Sequence, residues 1–160
     1  RDRDVTGVQT CALPIWFIFK QFLVRPKEST FLQPILFGLG HGFMEVLWIF
    51  IPNMSQMIIM GTLSISTVER IIVIIAHIFF TIIVWNGFQK DKKLQYLILA
   101  IFAHGLLDFI AIIGVSSGLN VWMVEGILAL FDVVGIIYIV HSRKYYMEGR
   151  LWDQERKFGF

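Results

Sequence analysis

Four apolar stretches of bilayer length dominate this chain: residues 35–51, 68–85, 94–115 and 119–140. A hydrocarbon core about 30 Å thick takes about 20 helical residues to cross, with about 17 near the lower limit. Lipid offers no hydrogen-bond partner to a bare backbone, so apolar runs of this kind cross as helices. The expected fold class is therefore all-α: a polytopic transmembrane helical bundle with about four spans. Composition agrees, since 56% of the residues are hydrophobic and 16% charged, against about a quarter charged in a soluble domain. The net charge is only +2, and the basic residues lie beside apolar runs. That pattern builds no platform for nucleic acid.

Residues 5–15 (Val5-Thr6-Gly7-Val8-Gln9-Thr10-Cys11-Ala12-Leu13-Pro14-Ile15) read like the translation of a high-throughput sequencing adapter. Arg1, Asp2, Arg3 and Asp4 mix both signs and no apolar core follows them directly, so a secretory signal is not expected either. Residues 1–15 are accordingly set aside as an assembly artefact. Cys11 is the only cysteine, and thiol or disulfide chemistry has no other support. Residues 16–145 are expected to form a membrane domain, the C-terminal part of a longer protein, with 146–160 as its tail.

The connections carry the orientation. Pro34 suits the start of a helix, and Pro52-Asn53 is expected to end the first span. The uncharged residues 53–67, with Met54, Met57 and Met60 three apart, read as a loop or an interfacial helix. Asn86 to Lys93 reads as a polar turn and Ser116-Ser117-Gly118 as a tight break. Lys20, Arg25 and Lys27 precede the first span, Lys90, Lys92 and Lys93 join the second to the third, and Arg143, Lys144 and Arg150 follow the fourth. Residues 52–67 and 116–118 hold only Glu-free, Lys-free and Arg-free sequence. By the positive-inside rule the basic loops and the C-terminus face the cytoplasm. Trp85, Tyr145 and Tyr146 fall near span ends, where aromatic side chains commonly anchor the interface.

Ionisable side chains inside such runs are expensive and point to function. His41 and Glu45 stand four apart within Gly38-Leu39-Gly40-His41-Gly42-Phe43-Met44-Glu45, and His104 and Asp108 repeat that spacing in the third span. Residues four apart share a helix face. Arg70, His77 and Thr81 lie on roughly one face of the second span; the fourth carries Glu125 and Asp132. At 1.5 Å per residue, Glu45, His77 and His104 all lie about 15 Å deep, near the midplane. His41 falls one turn nearer the cytoplasm and Asp108 one turn nearer the outside. Imidazoles with a carboxylate form a ligand set for a zinc-like divalent ion. A further carboxylate can serve as general base. Gly38, Gly40 and Gly42 suit close helix approach around such a site.

The order of these motifs, G-H-G-x-x-E in one span, Glu69-Arg70 with His77 in the next and H-x-x-x-D in the third, resembles the YhfC family of intramembrane metalloproteases. That family is similar in motif layout to the type II CAAX prenyl endopeptidases and bacteriocin-processing membrane proteases. The resemblance covers about residues 20–145. It implies a hydrolase of the bacterial plasma membrane that cleaves a membrane-embedded or lipid-linked peptide substrate. It further implies a divalent metal, zinc in the first instance, held by His77, His104 and Asp108. Glu45, His41, Arg70 and Glu69 are then the catalytic candidates, with Glu125 and Asp132 supporting them. The CAAX enzymes open with paired glutamates followed by arginine, whereas this chain has His41 and Glu45, so Glu45 either holds the ion or activates the water.

Two other functions fit the same residues. Intramembrane His, Asp and Glu side chains also mark the paths of ion- or metal-coupled transporters, although these commonly show inverted repeats and broken helices, neither of which stands out here. A non-catalytic scaffold would use the polar groups for packing alone. For Glu69 and Arg70, near the outer interface, an ordinary ion pair is the plainer role.

Overall fold

The computed structural model describes residues 28–147. The expectations for residues 1–15, Cys11 and the tail beyond Met147 lie outside the described residues. Four long helices follow one another: α1 Leu32–Ile59, α2 Leu63–Gln89, α3 Lys93–Ser116 and α4 Val121–Ser142, closed by a 3-10 turn Arg143–Tyr145. All four are long and apolar enough to cross a membrane. The all-α reading holds, and the described residues contain no strand.

The first connection differs from expectation. Pro52 does not end α1; it sits inside it, and Met54 and Met57 are helical. Proline removes one intrahelical donor, and a neighbouring side chain adds one, since Asn53 Nδ2 donates to the carbonyl oxygen of Ile49 at 2.7 Å. The chain turns instead at Gly61, whose φ of +69° suits glycine. What reads as a loop over 53–67 is therefore the end of α1, a three-residue turn and the start of α2. Asn86 to Gln89 likewise continue α2, and the turn before α3 contains Asp91 at φ +58°. Asn120 caps α4 by accepting from the Trp122 backbone N–H.

α2 is the central helix and packs against each of the other three. It buries residues on every side, whereas α1 leaves much of its apolar surface uncovered by protein. A lipid-facing helix presents such a surface, and a helix apolar all round is one enclosed by others. The α1–α2 contact rests on Gly38 and Gly42. A Cβ on Gly38 would lie 2.6 Å from the Ile78 Cα, and one on Gly42 3.1 Å from the Ile74 Cα. Gly40 has open space around its Cα and takes no part, contrary to the expectation for all three glycines.

α4 runs parallel to α2 in constant register, with Phe79 beside Phe131 and Tyr138, and Asn86 beside Ser142. Asn86, fully buried, donates to Tyr138 Oη at 3.0 Å and Ser142 Oγ at 2.7 Å, and accepts from Tyr146 Oη at 3.2 Å. Trp85 and Tyr146 are thus buried packing residues rather than interface anchors. Trp85 Nε1 donates to Ser29 Oγ at 2.8 Å, tying the segment before α1 to the end of α2.

Candidate functional site

Glu45, His77, His104 and Asp132 each stand near the middle of their helix. Three of the four meet. Because α1 lies close on α2 at Gly38 and Gly42, Glu45 reaches across the seam, and its Oε2 is 2.8 Å from His77 Nε2. The carboxylate accepts, so His77 Nε2–H donates, which leaves Nδ1 with the lone pair in a neutral ring. The His41 ring packs edge-on against that of His77 at 5.1 Å, and the His104 ring lies on its other side at 5.9 Å. His104 Nδ1 is 3.1 Å from Asp108 Oδ2, one turn along the same helix. Here too the imidazole N–H donates, leaving His104 Nε2 as the free lone pair.

The result is a row of three imidazoles, His41–His77–His104, with a carboxylate bonded to the second and another to the third. The ring of His77 is nearly enclosed, its side chain 4% exposed, whereas those of Glu45 and Asp108 are 31% and 39% exposed. The carboxylates therefore form the rim and the histidines the floor. α1 and α3 both pack on α2 rather than broadly on each other, so this floor lies at the base of a groove between them.

The remaining candidates lie elsewhere. Arg70 pairs with Glu69, and Glu125 of α4 is within electrostatic reach of both. These three form a second polar group toward the Leu63 end of α2, two turns from His77. Arg70 Nε and Glu125 Oε2 are buried without a hydrogen-bond partner among the described residues. Asp132 is buried, and neither carboxylate oxygen has a hydrogen-bond partner among the described residues. Its neighbour Phe131 packs on Phe80, which in turn packs on His104, so an aromatic pair joins α4 to the histidine row at this level. Phe80 was not legible as a wall of the site, since an apolar residue in an apolar run carries no signal of its own.

In donor chemistry the row suits a zinc-like ion, and His41 Nε2 is buried and uncommitted. As the side chains stand, no three His, Cys, Asp or Glu groups among the described residues converge closely enough to ligate one ion.

Fold and site together define the class: a polytopic helical membrane protein with a histidine–carboxylate cluster midway along its helices. The family model described as YhfC intramembrane metalloprotease matches residues 51–128. That match takes in the end of α1, all of α2 and α3, and the start of α4, and so agrees with the resemblance in the second and third motifs. Glu69, Arg70, His77, His104, Asp108 and Glu125 lie inside the matched stretch, and His41, Glu45 and Asp132 outside it. No curated protein and no solved structure matches the chain.

Proposed function

We propose that this protein is an intramembrane metallopeptidase whose site is the groove between α1 and α3, with Glu45, His77 and His104 at its centre. The single observation that carries this is the Glu45–His77 hydrogen bond of 2.8 Å across two helices, beside the two further imidazoles of His41 and His104. A histidine–carboxylate pair of that kind is costly to maintain in a bilayer unless it serves a site. The family match supports the same class.

In this proposal His77, His104 and Asp108 would hold a divalent ion, zinc in the first instance, after their side chains turn inward from positions that do not converge. When bound there, the ion would supply Lewis-acid polarisation of a scissile carbonyl and ease deprotonation of the attacking water. In the present geometry Asp108 accepts from His104 Nδ1 and so fixes that ring's tautomer and direction. Glu45 at the rim takes a proton from the attacking water at Oε2 and returns it to the departing amine. His41 lies against His77 and supports the floor. Glu69 and Arg70, about 10 Å further along α2, hold the other end of the groove, with Glu125 beside them. Asp132 has no bond to this machinery and enters only through packing.

The substrate is a membrane-embedded or lipid-linked peptide that reaches the groove laterally from the bilayer. The basic loops lie in the cytoplasm of a bacterial plasma membrane. The test is cleavage of a library of fluorophore- and quencher-labelled apolar helices by purified protein in liposomes. Wild type cuts, and Glu45→Gln, still folded and inserted, does not. Proton or metal flux through the same liposomes with no cleavage would point to the transporter instead.

A further inference from the structure

Two buried polar atoms beside the histidine row have no hydrogen-bond partner among the described residues: Nε2 of His41 and Oγ1 of Thr81. Thr81 is fully buried. A helical threonine usually meets its need by bonding the carbonyl one turn back. Thr67 of the same helix does so, to Leu63 O at 2.8 Å, and Ser142 of α4 does so to Tyr138 O at 2.8 Å. Thr81 has the same backbone on offer and leaves its hydroxyl unpaired. A group held that way in the interior is destabilising unless it meets a partner.

The two atoms are brought to one level by the run of the helices. Thr81 follows His77 by one turn, on the same face of α2. Side chains lean toward the N-terminus of their own helix. α1 and α2 are antiparallel, as the contacts of Gly38 with Ile78 and Gly42 with Ile74 require. His41 therefore leans one way along the bundle and Thr81 the other, and they converge beside His77, whose ring is 5.1 Å from that of His41.

We propose that His41 Nε2 and Thr81 Oγ1 together hold a water molecule next to His77, on the side away from the Glu69–Arg70 pair. Buried waters bond to about three polar groups that the protein otherwise leaves unpaired. A hydroxyl can donate and accept, and an imidazole nitrogen can do either, so the pair matches such a ligand. The water site stands on these two side chains alone. Its role rests on the peptidase reading above: it keeps water beside the site at a depth where the bilayer supplies none.

The test uses the full chain in a lipidic phase, at a resolution that shows ordered water. Wild type and Thr81→Ser show density within about 3.2 Å of both atoms, and Thr81→Val, which keeps the shape without the hydroxyl, loses it. Thr81→Ala behaves as Thr81→Val. On any reporter helix that wild type cuts, Thr81→Val lowers kcat by about 100-fold, the scale for misplacing a reacting group by an ångström. KM stays within about twofold and Thr81→Ser is active, since the ground-state contacts are untouched. No shared density in wild type, or the same density in Thr81→Val, overturns the site. Density that behaves as expected with kcat unchanged overturns the hydrolytic role alone. A wild type that cuts nothing overturns the peptidase reading and the role with it, while the density still decides the site.

Discussion

Gly38→Ala tests whether the close seam between α1 and α2 builds the site. The new Cβ would lie 2.6 Å from the Ile78 Cα and 3.0 Å from the His77 carbonyl oxygen. Carbon atoms in contact sit about 3.5–4.0 Å apart, so α1 must move outward by roughly 1 Å. Both obstacles are backbone atoms, which no rotamer change relieves. Glu45 lies less than two turns further along the same helix, and its 2.8 Å bond to His77 spans this seam. Lengthened by that amount, it passes the limit of about 3.2 Å for such a bond. Overpacking of this type costs about 1–3 kcal/mol. Gly40→Ala is the control, because nothing lies within 4 Å of its Cβ. It should stabilise by about 0.5–1 kcal/mol, the ordinary gain of alanine over glycine in a helix. Thermal unfolding in detergent reads the stability, and cleavage of a reporter helix reads the site. Gly38→Ala should unfold earlier and lose activity, with Gly40→Ala at or above wild type in both. Equal stability and activity for the two variants would refute the seam as the device that joins Glu45 to His77.

Asp132→Leu replaces a buried carboxyl with no hydrogen bond to either oxygen among the described residues, so the unfolding midpoint should rise by the equivalent of about 1–3 kcal/mol; a clear fall would show that the carboxyl has a partner. Lys90, in the turn after α2, is desolvated by partial burial, which lowers its pKa, but hydrogen bonds to Tyr96 and Tyr145 outweigh this and raise it. Its folded-state value is thus above the unfolded one, so its contribution is complete below the ordinary lysine value of about 10.4 and is lost as pH rises beyond that. Comparing unfolding midpoints of wild type and Lys90→Met along an alkaline series should show the gap closing as pH rises; a gap that widens contradicts the sign.

Much of this arrangement is legible from residues alone, for an identifiable reason. An ionisable group in an apolar run is conspicuous, and helix rise is constant, so the common level of Glu45, His77 and His104 follows from counting. What counting does not supply is rotation. Spacing suggests His41 with Glu45 on one face, yet Glu45 bonds His77 because Gly38 and Gly42 turn that flank of α1 toward α2. Gly40 looks equivalent to its neighbours in sequence and points away from the seam. Pro52 is a helix breaker by type, but with Asn53 bonding back to Ile49 the helix runs on. Asn86 reads as a turn residue because its three partners lie on α4 and just beyond it, some 52 to 60 positions away. Asp132 shares the level of the cluster but not its company, since depth fixes only one coordinate and the contact of α4 with the row at this level runs through Phe131 and Phe80.

The central claim is that the histidine row is a metal centre, and metal content tests it most directly. Wild type, Glu45→Gln, His77→Ala and His104→Ala are purified from membranes without chelator, and divalent metal per chain is measured beside cleavage of the reporter helix. The account predicts a stoichiometric ion in wild type, its loss in both histidine variants with the helices intact, and its retention in Glu45→Gln with cleavage abolished. Wild type that cleaves while carrying no metal would contradict it.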